Sequence, residues 1–308
     1  MAYWPTLRKD LASILPLLGL SACSGSGGGG GASGQSLEPQ TPPQPINQSI
    51  GGIWEGTNSS GWNTIGIVTE DGDFHFGLVN SLTHWGEVLS GNAYVIGDQV
   101  HGEGMYFGFE VGPMGESYWI RLSCTLTGVV EARRELTLES DCEPAPPFGE
   151  EDLVLDLDRL NTRASLELTY NPSYEQGASL AAISGLYERY FPGAPPVPDA
   201  AVIRIASNGE LFSQYVALES ADGRLGVRSL VCTENGHVDV VDPAYNIYSV
   251  TYVTSCDAPL DLNFEHGGLA TLDTSTEPDT LVYMTTTEMQ DDDGELSTFA
   301  DLRYWLKL

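Results

Sequence analysis

Five cysteines, five histidines and a large surplus of carboxylates are the side chains here that could do chemistry. His75, His84, His101, His237 and His266 never recur at i, i+2 or i+4, the spacings that put two ligands on one face. His75 stands between Phe74 and Phe76, so on a strand it faces away from both. The cysteines show no C-x-x-C spacing, which argues against zinc. The folded part has no G-x-S-x-G elbow, and Lys307 has no glycine-rich approach that would cradle a phosphate. The run Glu150-Glu151-Asp152 with Asp156 and Asp158, and the turn Asp291 to Gly294, offer oxygen ligands. Neither fits the D-x-[DN]-x-[DN]-G calcium loop, and both read as solvated acidic surface. A glycosidase-type carboxylate pair stays open, because its members can lie far apart in sequence. The expectation is therefore no catalytic residue, no cofactor and no metal, in a protein that is not an enzyme.

One cysteine has a different chemistry. Arg8 and Lys9 precede an apolar run, LASILPLLGL (Leu11 to Leu20), and then come Ser21-Ala22-Cys23. The run is too short to span a bilayer but suits the core of a signal peptide. Leu20-Ser21-Ala22-Cys23 resembles the lipobox of bacterial lipoproteins, L-[AS]-[GA]-C. The resemblance covers the leader alone. It implies cleavage before Cys23, diacylglycerol on the Cys23 sulfur and a fatty acyl group, typically palmitate, on the new amino terminus. Ser24, rather than Asp, then implies the outer membrane, with the protein facing the periplasm or the cell surface. Two or three acyl chains hold stably where one does not.

Residues 1–22 thus read as a signal peptide and 23–49 as a lipidated cysteine with a flexible tether. Gly27 to Gly31 is unbroken glycine, and LEPQTPPQPINQ after it has almost nothing to bury. The whole chain carries 13 basic and 43 acidic residues, net −30. Cleavage would remove Arg8, Lys9 and Asp10, leaving 11 against 42, net −31, with Lys307 the one lysine. Such a charge repels nucleic acid, which is excluded as a partner, and attracts basic proteins. It also serves solubility alone.

Four cysteines remain for the folded part: Cys124, Cys142, Cys232 and Cys256. An even number in an exported chain favours disulfides, and three pairings exist. Cys124–Cys142 and Cys232–Cys256 are favoured because each closes a short loop within one half. Each would add about 3 kcal/mol by constraining the unfolded chain.

The two halves echo each other. SIGGIWEG (Ser49 to Gly56) precedes NTIGIVTEDGDFHFGLV (Asn63 to Val79), and AISGLYER (Ala182 to Arg189) precedes AAVIRIASNGELFSQYV (Ala200 to Val216). Both give Gly, aliphatic, aromatic, Glu, then two alternating strands around a turn ending in Gly72 or Gly209. Alternation continues through ASLELTY (Ala164 to Tyr170), through Tyr248, Val250 and Tyr252, and through the final LRYWLKL. Asn235-Gly236 and Gly267-Gly268 read as further turns. One helix candidate exists, Tyr174 to Ser184, weakened by Gly177. The fold expected is all-β: two small antiparallel β-barrel or sandwich domains, residues 50–183 and 184–308, after a disordered tether. The openings GGIWEG and SGLYER resemble the G-x-W start of lipocalins. That resemblance implies that Trp54 and Tyr187 close the bases of two barrels.

Trp62, in the small polar stretch NSSGWNT, is a candidate anchor for a partner or a cover over a barrel mouth. The leading expectation for function is non-enzymatic binding by an outer-membrane lipoprotein, of the inhibitor or immunity kind that captures a basic exported protein. The alternative is a lipocalin-like carrier, which needs an empty cavity of about several hundred Å³. The third is an envelope hydrolase, which needs a cleft with carboxylates of perturbed pKa.

Overall fold

Alternating inward and outward side chains over sixteen strands build two closed barrels in the computed structural model. It describes residues 48–79, 86–111, 117–144, 163–190, 192, 201–220, 227–256, 263–290 and 296–308. The leader, Cys23, the tether up to residue 47, Trp85, the acidic run 150–158, the proline-rich segment 193–199 and the turn 291–294 lie outside them.

Barrel 1 comprises β1 (Gly52–Asn58), β2 (Asn63–Val68), β3 (Asp73–Val79), β4 (Gly86–Ile96), β5 (Gln99–Val111), β6 (Ser117–Glu131), β7 (Glu135–Pro144) and β8 (Arg163–Asn171). Barrel 2 comprises β9 (Gly185–Tyr190), β10 (Val202–Ile205), β11 (Glu210–Ser220), β12 (Val227–Asp242), β13 (Ile247–Cys256), β14 (Asn263–Asp273), β15 (Thr280–Gln290) and β16 (Leu296–Lys307). Each strand pairs antiparallel with its neighbour in sequence, and β8 returns to β1 as β16 returns to β9. Closure leaves no sheet edge to aggregate. The alternation is plain in β7, where Leu136, Leu138, Ser140 and Cys142 are buried and Glu135, Glu139, Asp141 and Glu143 are exposed.

The two barrels repeat each other in detail. Trp54 and Tyr187 are fully buried at the starts of β1 and β9. Trp54 Nε1 donates to the Ile50 carbonyl at 3.0 Å, and the Tyr187 hydroxyl donates to the Ile183 carbonyl at 2.6 Å. Both bonds reach four residues back, so each aromatic pins the chain entering its barrel. Gly72 and Gly209 share a φ of +89°, which a side chain rarely adopts. Their carbonyls accept from Ala93 N and Val238 N, the first tie from each turn to the fourth strand of its barrel.

The disulfides Cys124–Cys142 and Cys232–Cys256 are formed. Their positions differ between the halves. The first joins the sixth and seventh strands of barrel 1, the second the fourth and fifth of barrel 2. Each pair sits directly opposite in register.

Two expected turns are corrected. Asn235-Gly236 lies inside β12 and Gly267-Gly268 inside β14. A Cβ on Gly236 would come within 2.0 Å of the Thr251 carbonyl oxygen, and one on Gly268 within 1.9 Å of the Met284 carbonyl oxygen. Close approach of the neighbouring strand selects glycine there, as happens where barrel strands bend. The expected helix is also shorter. A 3-10 turn, Pro172–Gln176, and one helical turn, α1 (Leu180–Ile183), flank Gly177 with its φ of +74°.

Residues 45–308 form one compact unit. An apolar seam joins the barrels, with Ile53, Ile67 and Phe107 on one side and Met284, Ala300 and Leu302 on the other. Gly77 admits the Leu302 side chain and the Met284 sulfur, each 2.8 Å from where a Cβ would stand. The connecting segment reinforces the seam: the Tyr174 hydroxyl donates to Glu70 at 2.9 Å, and its ring stacks on Tyr245 at 4.5 Å.

Candidate functional site

The two ends of each barrel differ in kind. In barrel 1 the short turns that follow β2, β4 and β6 all lie at the end closed by Trp54. The opposite mouth carries the β1–β2 turn. A cavity of about 220 Å³ opens at that mouth. Leu78, Leu89, Ile120, Leu122 and Leu166 supply apolar wall, and Cys142 places the disulfide there.

Glu87 is buried in this wall, and the Tyr106 hydroxyl donates a hydrogen bond to its carboxylate. Glu87 and Leu89 are two apart on β4, so a charged residue occupies the inward phase of an apolar strand. Asn58 organises the rim. Its side-chain oxygen accepts from Ser60 N at 3.0 Å and Trp62 N at 2.9 Å, a local turn that fixes the tryptophan. Trp62 is half-buried against the barrel core and lines the cavity. The described lining contains one carboxylate and no basic side chain.

Barrel 2 also buries polar groups, held as a network. Arg303 and Glu234 are both buried, with Arg303 Nη1 donating to Glu234 Oε1 at 2.6 Å and to the Tyr283 hydroxyl at 3.1 Å. Arg303 Nη2 pairs with Asp301. The guanidinium carbon lies 5.6 Å from the Tyr252 ring centre and 5.7 Å from that of Tyr283. Such faces favour a desolvated cation. Burial raises the Asp301 pKa, but Arg303 and Arg189 outweigh it and hold the carboxyl below its ordinary value. The Tyr252 hydroxyl donates to Asp301 at 3.4 Å, and its ring stacks on His266 at 4.4 Å.

Burial lowers the His266 pKa to about 4, with Asp301 opposing and Arg303 reinforcing the shift. His75, on the outer face of β3, is also lowered to about 4 by burial, against the pull of Asp73. A folded-state value below the ordinary 6.5 means that the unfolded chain binds more protons between those limits. Stability from this source is complete above about pH 6.5 and is lost as pH falls towards 4. His266 contributes about 3 kcal/mol over that window. Urea midpoints should fall steadily from pH 7 to pH 4.5, and His266→Phe should flatten the profile in part, with His75 supplying the rest. A profile unchanged by the substitution would remove His266 from this account.

Among the described residues, no three His, Cys, Asp or Glu side chains converge as a metal-binding group. No described helix is long and apolar enough to cross a membrane. Charges in the inward phase mark the residues that sequence reasoning passed over: Glu87 beside Leu89, Glu234 beside Cys232, and Asp301 and Arg303 leading to Trp305. No protein-family model matches the chain, and no curated protein matches it.

Proposed function

We propose that this chain is a lipid-anchored, exported binding protein whose first barrel holds a small molecule at its mouth. The observation that carries the reading is Glu87, a buried carboxyl facing a cavity of about 220 Å³. Apolar wall with a few placed polar groups is the usual composition of a small-ligand pocket. A carboxylate accepts hydrogen bonds and attracts cations, and the Trp62 and Tyr106 rings suit a cation or an apolar body. The ligand class is therefore a compact amine with an apolar tail. Phenethylamine should shift the tryptophan emission saturably, while 2-phenylethanol binds more weakly. Glu87→Gln should cost the amine roughly tenfold to a hundredfold in affinity and leave the alcohol unchanged. Equal losses for both would refute a charge-reading role for Glu87. The anchor rests on the Leu20 to Cys23 motif, and Cys23→Ser should move the protein from the membrane to the soluble fraction.

The outer face of barrel 1 favours a second reading, capture of a basic exported protein in the inhibitor or immunity manner. Glu103 on β5, Glu139, Asp141 and Glu143 on β7 and Glu167 on β8 are exposed. Their cross-strand partners include Thr125, Thr127, Ser123 and Thr137. Hydroxyls opposite carboxylates keep like charges from facing each other directly. A captured partner should be basic and should dissociate as salt is raised; a complex indifferent to ionic strength would count against this face.

A further inference from the structure

A second cavity lies outside both lumens. It is a cleft of about 370 Å³ across the seam, walled by β1 and β2 of barrel 1 and by β14, β15 and β16 of barrel 2. Its floor is apolar, with Ile53 and Val282 buried and Ile65 and Val79 beside them. Tyr190 and Tyr304, both half-buried, stand on the barrel 2 side. The rim is a ring of hydrogen-bonding groups: Glu55, Asn63 and Asn171 from barrel 1, Asp273, Thr276 and Thr280 from barrel 2.

Several of these groups are already oriented. Asn171 Nδ2 donates to Glu55 Oε1 at 2.7 Å. Asp273 Oδ1 accepts from Ser275 N at 2.9 Å and from Ser275 Oγ at 2.6 Å. Thr276 and Thr280 share a hydrogen bond at 2.9 Å. Burial and the neighbouring Glu55 charge both raise the Tyr304 phenol, so its hydroxyl remains a hydrogen-bond donor.

The chemistry of the lining selects the ligand. Its described residues include no Lys, Arg or His, so it does not suit a phosphate or a carboxylate. Glu55 is exposed and Asp273 half-exposed, so water and salt screen their hold on a lone cation. Fixed carboxylate, amide and hydroxyl groups above an apolar floor match a sugar ring. Its C–H face packs on aliphatic and aromatic surface, and its hydroxyls both donate and accept. The volume lies in the range of small-ligand sites.

We propose that the inter-barrel cleft is a carbohydrate site that takes one or two neutral pyranose units. The site is separate from the barrel 1 cavity and exists only when both barrels are joined. That gives the seam a purpose beyond stability.

Saturation-transfer NMR on the folded protein tests this, with maltose, cellobiose and N,N′-diacetylchitobiose as probes and choline and glucose 6-phosphate as controls. At least one disaccharide should bind saturably at millimolar concentration, and neither control should compete with it. Asn63→Trp, which fills the cleft from an exposed position, and Glu55→Ala, which removes an exposed acceptor, should each weaken binding by about tenfold or more. The amide spectrum of each variant reports folding away from the cleft. If Asn63→Trp perturbs it, Thr276→Trp, also from an exposed position, makes the same test. Absence of binding by all three disaccharides overturns the proposal. So does binding that survives both substitutions, or tighter binding of either control.

Discussion

Arg303→Leu should destabilise the protein by about 3–5 kcal/mol, because it leaves buried carboxylate without its cation. Glu234 is fully buried and Asp301 largely so, and both bond the same guanidinium. Leucine fills part of the volume, so the loss measures charge compensation more than packing. Arg189 also acts on Asp301, which spares that carboxylate part of the penalty, and Glu234 bears most of it. The triple variant Arg303→Leu, Glu234→Leu, Asp301→Asn should regain most of the loss, since replacing a whole buried ion network with apolar groups is often neutral. Urea unfolding followed by near-ultraviolet circular dichroism measures both. A single variant within about 1 kcal/mol of the parent would mean that water reaches Glu234 and that the lumen of barrel 2 is open.

Trp54→Ala and Tyr187→Ala should have costs of the same order, about 3–5 kcal/mol each. Both side chains are fully buried at the closed ends, and both bond a carbonyl four residues earlier. The conservative changes separate the two contributions. Tyr187→Phe keeps the ring and orphans the Ile183 carbonyl, for a loss of about 1–2 kcal/mol. Trp54→Phe loses its bond and part of its volume, and should cost more. If one alanine variant is harmless and the other is not, the closed ends are not equivalent and the structural repeat ends at the backbone.

The barrels are legible in the sequence because each strand obeys a two-residue period and each closed end begins with the same glycine, aliphatic, aromatic and glutamate. The turns at Gly72 and Gly209 are legible for the same local reason: Asp or Asn before glycine tolerates positive φ. Asn235-Gly236 carries an identical signature and lies mid-strand. What decides there is the backbone of Thr251 pressing on Gly236, a contact with a strand that local sequence does not name. The site is less legible than the fold. Arg303 meets Glu234 across 69 residues of chain, so a charged residue in the inward phase reads as an exception until its partner arrives. The cleft is less legible still, since its lining comes from outward-facing positions of strands in different barrels. Trp62 stands apart because a loop of small polar residues isolates it, and its place at the cavity rim follows from Asn58.

The seam has a consequence for how the chain folds. Barrel 1 draws all its strands from residues 52–171, so its sheet can close without any strand of barrel 2. In that state Ile53, Ile67, Val79, Val88 and Phe107 lack much of their cover, because Met284, Ala300 and Leu302 belong to the last two strands. A barrel 1 closed alone would therefore carry a bare apolar flank, and the last two strands are what turn that flank into an interior.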